Sequence, residues 1–181
     1  AKEMFEVFLI MRQLNEMLWY LSEALLLEPS SELNTIIDET VNLTNLPAAS
    51  LLKIDTALHR EKVNTLLFKT SELVRSRYKN KKTPLKFKRL FGGALDLVGK
   101  DLRNADLAGK NLSGAYMIAA NLKGVNLRGT DLLGADLRDA DLSDAVLTES
   151  IFISQLQINS AKGNKGTKLP KHITVPLHWE K

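Results

Sequence analysis

A large apolar residue returns every fifth position from Ala94 to Ser154. Leu97, Leu102, Leu107, Leu112, Met117, Leu122, Leu127, Leu132, Leu137, Leu142, Leu147 and Phe152 hold the phase, twelve repeat centres without a gap. Asp or Asn precedes the centre in nine of the twelve, and Ala stands two before it in six. A five-residue period is neither the ~3.6-residue period of a helix nor the alternation of a plain strand. Within one unit, the centre and the residue two before it share a side, as alternate strand residues do. The pattern therefore predicts that these two positions face inward. The last position is Gly in six units, at 99, 109, 114, 124, 129 and 134, and Asn104, Asp139 or Asp144 in three more. A type II turn needs positive φ at its second central residue, which Gly and then Asn tolerate best. Each unit thus reads as a very short strand ending in a tight turn. Stacked in parallel, such units make a solenoid.

Ahead of the repeat the period changes. Within Lys2–Leu27, Val7, Met11, Leu14, Leu18, Leu21 and Leu25 follow a 4,3,4,3,4 spacing. That spacing predicts one long amphipathic helix. Ile10, Met17 and Ala24 widen the stripe toward a bundle core. Pro29 disfavours helical geometry in Glu28, and Ser30 or Ser31 is placed to cap a second helix running to about Leu43. Leu33, Ile36, Ile37 and Val41 would face inward on it. Pro47 suits the first turn of a short third helix. Asp55 or Thr56 is placed to cap the last and longest one, ending near Tyr78, with Val63, Leu66, Leu67, Leu73 and Val74 on its apolar side. Phe5, Phe8, Leu9, Trp19 and Tyr20 do not all fit one seam. Packing within the chain is the expectation for them, with a partner or dimer surface as the alternative.

Charge redraws this picture. The net +4 is segregated along the chain. Residues 1–74 carry 6 basic and 11 acidic groups, and residues 75–89 carry 8 basic and none acidic. The repeat carries 6 basic and 9 acidic groups, and residues 155–181 carry 5 and 1. The basic run Arg75, Arg77, Lys79, Lys81, Lys82, Lys86, Lys88 and Arg89, with Tyr78 and Phe87 interleaved, has the charge to meet phosphate backbones or an anionic membrane surface. No base-stacking platform accompanies it, so a solvated connector broken by Pro84 is the preferred reading and nucleic acid is not an expected partner. The organisation expected is an α-helical domain or cap over 1–78, a basic linker over 79–93, the repeat over 94–154, and a carboxy-terminal cap and tail over 155–181. About 75 helical residues would be marginal alone, so packing against the repeat or a second subunit is expected.

The 181 residues suit one or two small domains and contain no cysteine, which excludes disulfides and thiolate metal sites. No apolar run approaches the ~20 residues that span a bilayer. Charges interrupt the apolar positions of the first 27 residues, so no secretory signal is visible. A cytoplasmic protein is the expectation. The chain begins at Ala rather than Met, which leaves room for a fragment of a longer protein.

The triplets Ala105-Asp106-Leu107, Ala120-Asn121-Leu122, Ala135-Asp136-Leu137 and Ala140-Asp141-Leu142 resemble the Ala-(Asp/Asn)-Leu-x-x unit of the pentapeptide repeat proteins. The resemblance covers about a third of the chain. It implies a right-handed quadrilateral parallel β-helix with four units per coil, hence three coils here. At ~4.8 Å per coil the rod would be roughly 14 Å tall. Each hydrophobic end of such a rod needs a cap. The helical half is the obvious amino-terminal one. At the other end the tail is expected to fold back and bury Trp179 against the β-helix. That tail, with Thr167-Lys168-Leu169-Pro170, and the stretch Phe5–Leu27 also look like a bacterial subgroup of the family. There, a cysteine-rich segment suggestive of metal binding precedes the helices. Lys100 and Lys110 occupy inward small-residue positions near one end, where their side chains are expected to snorkel out. Val146 and Ile151 replace the usual Asp or Asn, which suggests a covered face. Val98, Tyr116, Ile118, Leu133 and Ile153 are the outward apolar residues and form the candidate contact surface.

Little chemistry accompanies the repeat. The periodic Asp/Asn positions read as turn-formers bonded to backbone. His59, His172 and His178 are scattered and read as surface or tail residues, with no ligand spacing around them. There is no nucleophile elbow or phosphate loop. Gly92-Gly93 reads as the opening turn of the solenoid. The expectation is a non-enzyme without cofactor or metal: a protein–protein interaction scaffold with an unidentified protein partner, and homo-oligomerisation through the amino-terminal helices as an option. Two alternatives remain. One is a DNA mimic that binds a topoisomerase. The other is part of a metal-binding protein whose cysteine-rich segment lies outside this sequence.

Overall fold

A computed structural model describes residues 2–78 and 93–179. They fall into two compact units, one ending at Glu72 and the other beginning at Leu73. Of the linker expected over 79–93, residues 79–92, with the basic run from Lys79 to Arg89, lie outside the described residues.

The first unit is helical. Helix α1 spans Lys2–Leu27, α2 Ser31–Thr44, α3 Ala48–Leu51, and α4 starts at Thr56 and ends at Ser76. Ser30 caps α2, its hydroxyl accepting from the Leu33 amide at 3.1 Å. Pro47 stands at the N-cap of α3. The Asp55 carboxylate accepts from the Leu58 amide at 3.0 Å as α4 begins. The Ser30 and Asp55 side chains each satisfy an amide that the first helical turn leaves without a partner, whereas Pro47 makes no side-chain cap.

The buried face of α1 is Leu14, Met17, Leu21 and Ala24, turned from the spacing-based seam: Val7, Met11, Leu18 and Leu25 are only half-buried. On α2 the buried residues are Leu33, Ile36 and Thr40, while Val41 is exposed. On α4, Val63 and Leu67 are buried and Leu73 is exposed. Ion pairs Arg60–Glu16 (4.0 Å), Lys62–Glu39 (3.5 Å) and Lys69–Glu32 (3.0 Å) join α4 to α1 and α2 along their exposed edges.

The second unit contains the repeat. The Leu97 amide donates to the Tyr116 carbonyl (2.8 Å), and the Tyr116 amide donates to the Leu95 carbonyl (2.9 Å). This slanted exchange is parallel pairing, and it recurs at Asp101–Asn121–Asp141, Tyr116–Asp136, Asn126–Val146 and Asp131–Ile151. The chain thus returns to the same face every twenty residues, four repeat units per turn. Each pairing is an isolated bridge, and none among the described residues extends into a strand. The tight turn that separates successive units, left-handed in nine of the twelve, leaves too few extended residues for a longer ladder.

All twelve repeat centres are buried, from Leu97 through Phe152, and Ala115, Ala120, Ala135, Ala140 and Ala145 fill the space between them. Lys100, at the same small-residue position, is exposed and Lys110 half-buried. Thr130 and Ser150 are buried there too, their hydroxyls donating to the Leu107 and Leu147 carbonyls at 2.7 Å. The six repeat glycines take positive φ, as do Ala119, Asp139 and Asp144. Asn104 does not take it; the hydrogen bond from the Ala105 amide to the Leu102 carbonyl (2.8 Å) still closes that turn.

The pairing does not stop with the repeat. Asp141 pairs with Lys162 and Val146 with Lys168, at spacings stretched by one and two residues. Between these comes a short helix, α5, Gln155–Ser160. A single 3-10 turn, Leu177–Trp179, follows.

Candidate functional site

The outer surface of the solenoid is built mostly by its turns. In eight units the Asp or Asn before the centre accepts from the amide two residues on, at 2.9–3.4 Å. This is an Asx turn, the local alternative to a ladder bond for a short polar side chain. The second oxygens engage neighbouring cations. Arg103 clamps Asp101 with Nη2 at 2.6 Å and Nε at 2.9 Å. Arg138 holds Asp136 the same way, at 2.6 and 2.9 Å. Lys123 reaches across the turn to Asp141 at 3.2 Å.

The carboxyl pKa values follow. The guanidinium of Arg103 lowers Asp101 to about 2. Arg138 lowers Asp136. Burial raises Asp141, but hydrogen bonds from Ser143 and the Lys123 charge outweigh it, and the net shift is down. These carboxylates are engaged and ionised, so none is poised as a general acid. No group of three or more His, Asp or Glu among the described residues is arranged to hold a metal ion.

The outward apolar residues divide. Val98 is 48% exposed and Tyr116 43%, with Ile118 half-buried nearby on the pairing that links Asp96, Tyr116 and Asp136. Leu133 is half-buried. Ile153 is corrected: it is fully buried in the main core cluster. The reason is local. Phe152 takes φ of +58°, leaves the repeat conformation and turns its successor inward. Ile151 is also buried, and Val146 half-buried.

Trp179 is 2% exposed and belongs to that cluster. Its Nε1 donates to the Ala161 carbonyl at 2.9 Å. A Cβ on Gly163 would sit 2.5 Å from the indole. Ala161-Lys162-Gly163 therefore occupies the positions of a repeat unit whose centre lacks a side chain, and Trp179 fills the vacancy. Gln157 of α5 closes the same end, donating to the Leu132 and Ala135 carbonyls at 2.8 and 2.9 Å.

His59 is the second correction: it is buried, not a surface residue. The Thr40 hydroxyl donates to the Ile36 carbonyl at 2.6 Å, so its oxygen accepts from His59 Nε2 at 2.9 Å. That assigns the Nε2–H tautomer to a neutral ring. Burial lowers the His59 pKa, partly opposed by Glu39. A cleft of about 410 Å³ opens beside it, bordered by Leu43, Ile54 and Leu58 with Glu39 and Lys62. No sequence spacing marks the Thr40–His59 pair, because nineteen residues separate its members. His172 and His178 are exposed tail residues, the latter 3.1 Å from the Ala161 carbonyl.

The third correction concerns the aromatic residues of α1. Phe5, Phe8 and Trp19 are 61%, 59% and 50% exposed, more than the expected packing allows, whereas Leu9 and Tyr20 are half-buried. Phe5, Phe8 and Trp19 lie on the face opposite Leu14, Met17 and Leu21.

Comparison with known proteins places the repeat. Eight copies of the family described as Pentapeptide repeats match across residues 96–132 and 117–152. Residues 96–152 are similar to pentapeptide repeats by this match, and such repeats imply a right-handed β-helix. It is similar to Uncharacterized protein YybG of Bacillus subtilis (strain 168), 56% identical over 184 residues. That alignment covers 99% of this chain and 64% of the relative, so the chain spans less than two thirds of the relative's length. Among solved structures it is similar to a pentapeptide repeat protein (Rfr23) from the cyanobacterium Cyanothece 51142, 30% identical over 41% of this chain and 46% of that one, with a TM-score of 0.32. A second is alr5209, a pentapeptide repeat protein from Nostoc Pcc 7120, 30% identical over 46% of this chain and 80% of that one, with a TM-score of 0.19. No helix among the described residues is long and apolar enough to cross a membrane.

Proposed function

We propose that this chain is a non-catalytic protein–protein interaction scaffold. Its twelve units would form three coils of the solenoid, with residues 1–78 as a helical domain, 79–93 as a linker and 155–181 as the cap. The observation that carries the reading is the exposed pair Val98 and Tyr116, flanked by Ile118, on a surface whose polar groups are otherwise engaged in turns. A rigid face with a small apolar centre and a polar rim has the anatomy of a protein contact. DNA mimicry is disfavoured. It needs free outward acidity, and Arg103 and Arg138 neutralise the carboxylates they clamp.

The test is retention of host proteins on the immobilised chain, compared with Val98→Asp and Tyr116→Asp, by quantitative mass spectrometry. The scaffold reading expects specific proteins held by the parent and lost from both variants. Identical retention by all three sinks this surface as the site.

A further inference from the structure

Helix α1 is apolar on two opposite faces. One carries Leu14, Met17, Leu21 and Ala24, all buried. At ~100° per residue, the opposite face carries Phe5, Phe8, Arg12, Asn15, Trp19, Ser22 and Leu26, a strict 3,4,3,4,3,4 row. That alternation seats the side chains of a second helix. The apolar members are 61%, 59%, 50% and 86% exposed for Phe5, Phe8, Trp19 and Leu26. Two of the polar members, Asn15 and Ser22, do not oppose burial. Asn15 Nδ2 donates to the Met11 carbonyl at 2.8 Å and Ser22 Oγ to the Leu18 carbonyl at 2.7 Å, so both already have partners on their own helix.

The spacing of the row is nearly symmetric about Asn15. With Asn15 at the crossing, an antiparallel copy sets Phe5 against Leu26, Phe8 against Ser22 and Arg12 against Trp19. It also brings Arg12 beside Glu16 of the other chain. A guanidinium on an indole face is a favourable contact, and opposite charges flank it. A parallel copy would instead set Arg12 on Arg12. A membrane surface fits less well: α1 carries two basic and four acidic residues, whereas helices lying on anionic lipid have polar faces rich in Lys and Arg.

We propose that α1 is the dimerisation element of this protein, pairing antiparallel with α1 of a second copy along a seam roughly 32 Å long. This holds whatever protein the solenoid meets.

The experiment is sedimentation equilibrium of the full chain, followed by directed crosslinking. A species of twice the 20.2 kDa chain mass is expected, and Phe8→Glu with Trp19→Glu should return it to the chain mass with the far-UV spectrum retained. The chain has no cysteine, so introduced thiols report pairing directly. Phe5→Cys mixed with Leu26→Cys should crosslink between chains at least tenfold faster than Phe5→Cys with itself. A monomer at 100 μM overturns the proposal, as does a dimer insensitive to the double variant. Preferred crosslinking of Phe5→Cys to itself overturns the antiparallel register, and a monomer that partitions onto anionic vesicles assigns the face to lipid instead.

Discussion

Gly124 and Gly129 hold the same place in the repeat and nearly the same backbone, φ +67° and +63°. Their surroundings differ. A Cβ on Gly124 meets nothing within 4 Å, whereas one on Gly129 would run into the Tyr78 ring. Both Gly→Ala substitutions carry the left-handed backbone penalty of about 1–2 kcal/mol. Only Gly129→Ala adds a steric clash, so it should destabilise by about 1–3 kcal/mol more than Gly124→Ala in urea unfolding. Equal losses would mean that Tyr78 does not lie there. Ala119 gives the converse case. Its φ of +55° strains a residue with a Cβ, and Ala119→Gly should stabilise by about 0.5–1 kcal/mol in the same measurement. The turn requirement was legible in the spacing of the glycines. The need for empty space above Gly129 was not, because Tyr78 lies far away in sequence.

At the scale of elements, the closing of the solenoid is the least regular event in the chain. Ser154 and Gln157 form a capping box at α5, the Ser154 amide donating to Gln157 Oε1 at 2.7 Å. The same Gln157 side chain spends its amide hydrogens on two solenoid carbonyls. Trp179 then occupies the space that Gly163 leaves. Gly163→Ala should expel the indole and cost about 1–3 kcal/mol. In a Trp19→Phe background Trp179 is the sole indole of the chain, so its emission should shift to the red and become accessible to iodide. Unchanged emission would refute the fit. The apolar character of the tail ending in Trp179 was readable from its residue types. Its seat was not, since the vacancy is made by a glycine whose φ is unexceptional.

At the scale of the molecule, the two units carry titrating groups in different pH ranges. His59 has a folded pKa below its ordinary 6.5. The unfolded chain therefore takes up the proton first, and the stability this group contributes above pH 6.5 is lost as pH falls toward the folded value. Asp101, lowered from 3.8 to about 2, contributes stability that persists to about pH 4 and is lost as pH falls through about 2; Asp136 and Asp141 shift in the same direction. Hydrogen exchange followed by mass spectrometry should show α2 and α4 losing protection below pH 6.5, well before the repeat does. His59→Gln should remove the upper transition and leave the lower one. Simultaneous loss in both units with the variant unchanged would defeat this account.

The repeat was determined by sequence alone, because each unit is local. In most units five residues carry their own inward pair, their own Asx turn and their own left-handed residue, and stacking follows from similarity of neighbours. The long helices and their caps were equally legible, as short-range signals at Ser30, Pro47 and Asp55. What tertiary structure decided were the places where distant residues meet: His59 on Thr40, Tyr78 over Gly129, Trp179 in the gap at Gly163, and Ile153 turned inward by Phe152. It also decided that Phe5, Phe8 and Trp19 stay exposed on α1, where the residue types alone suggested packing within the chain.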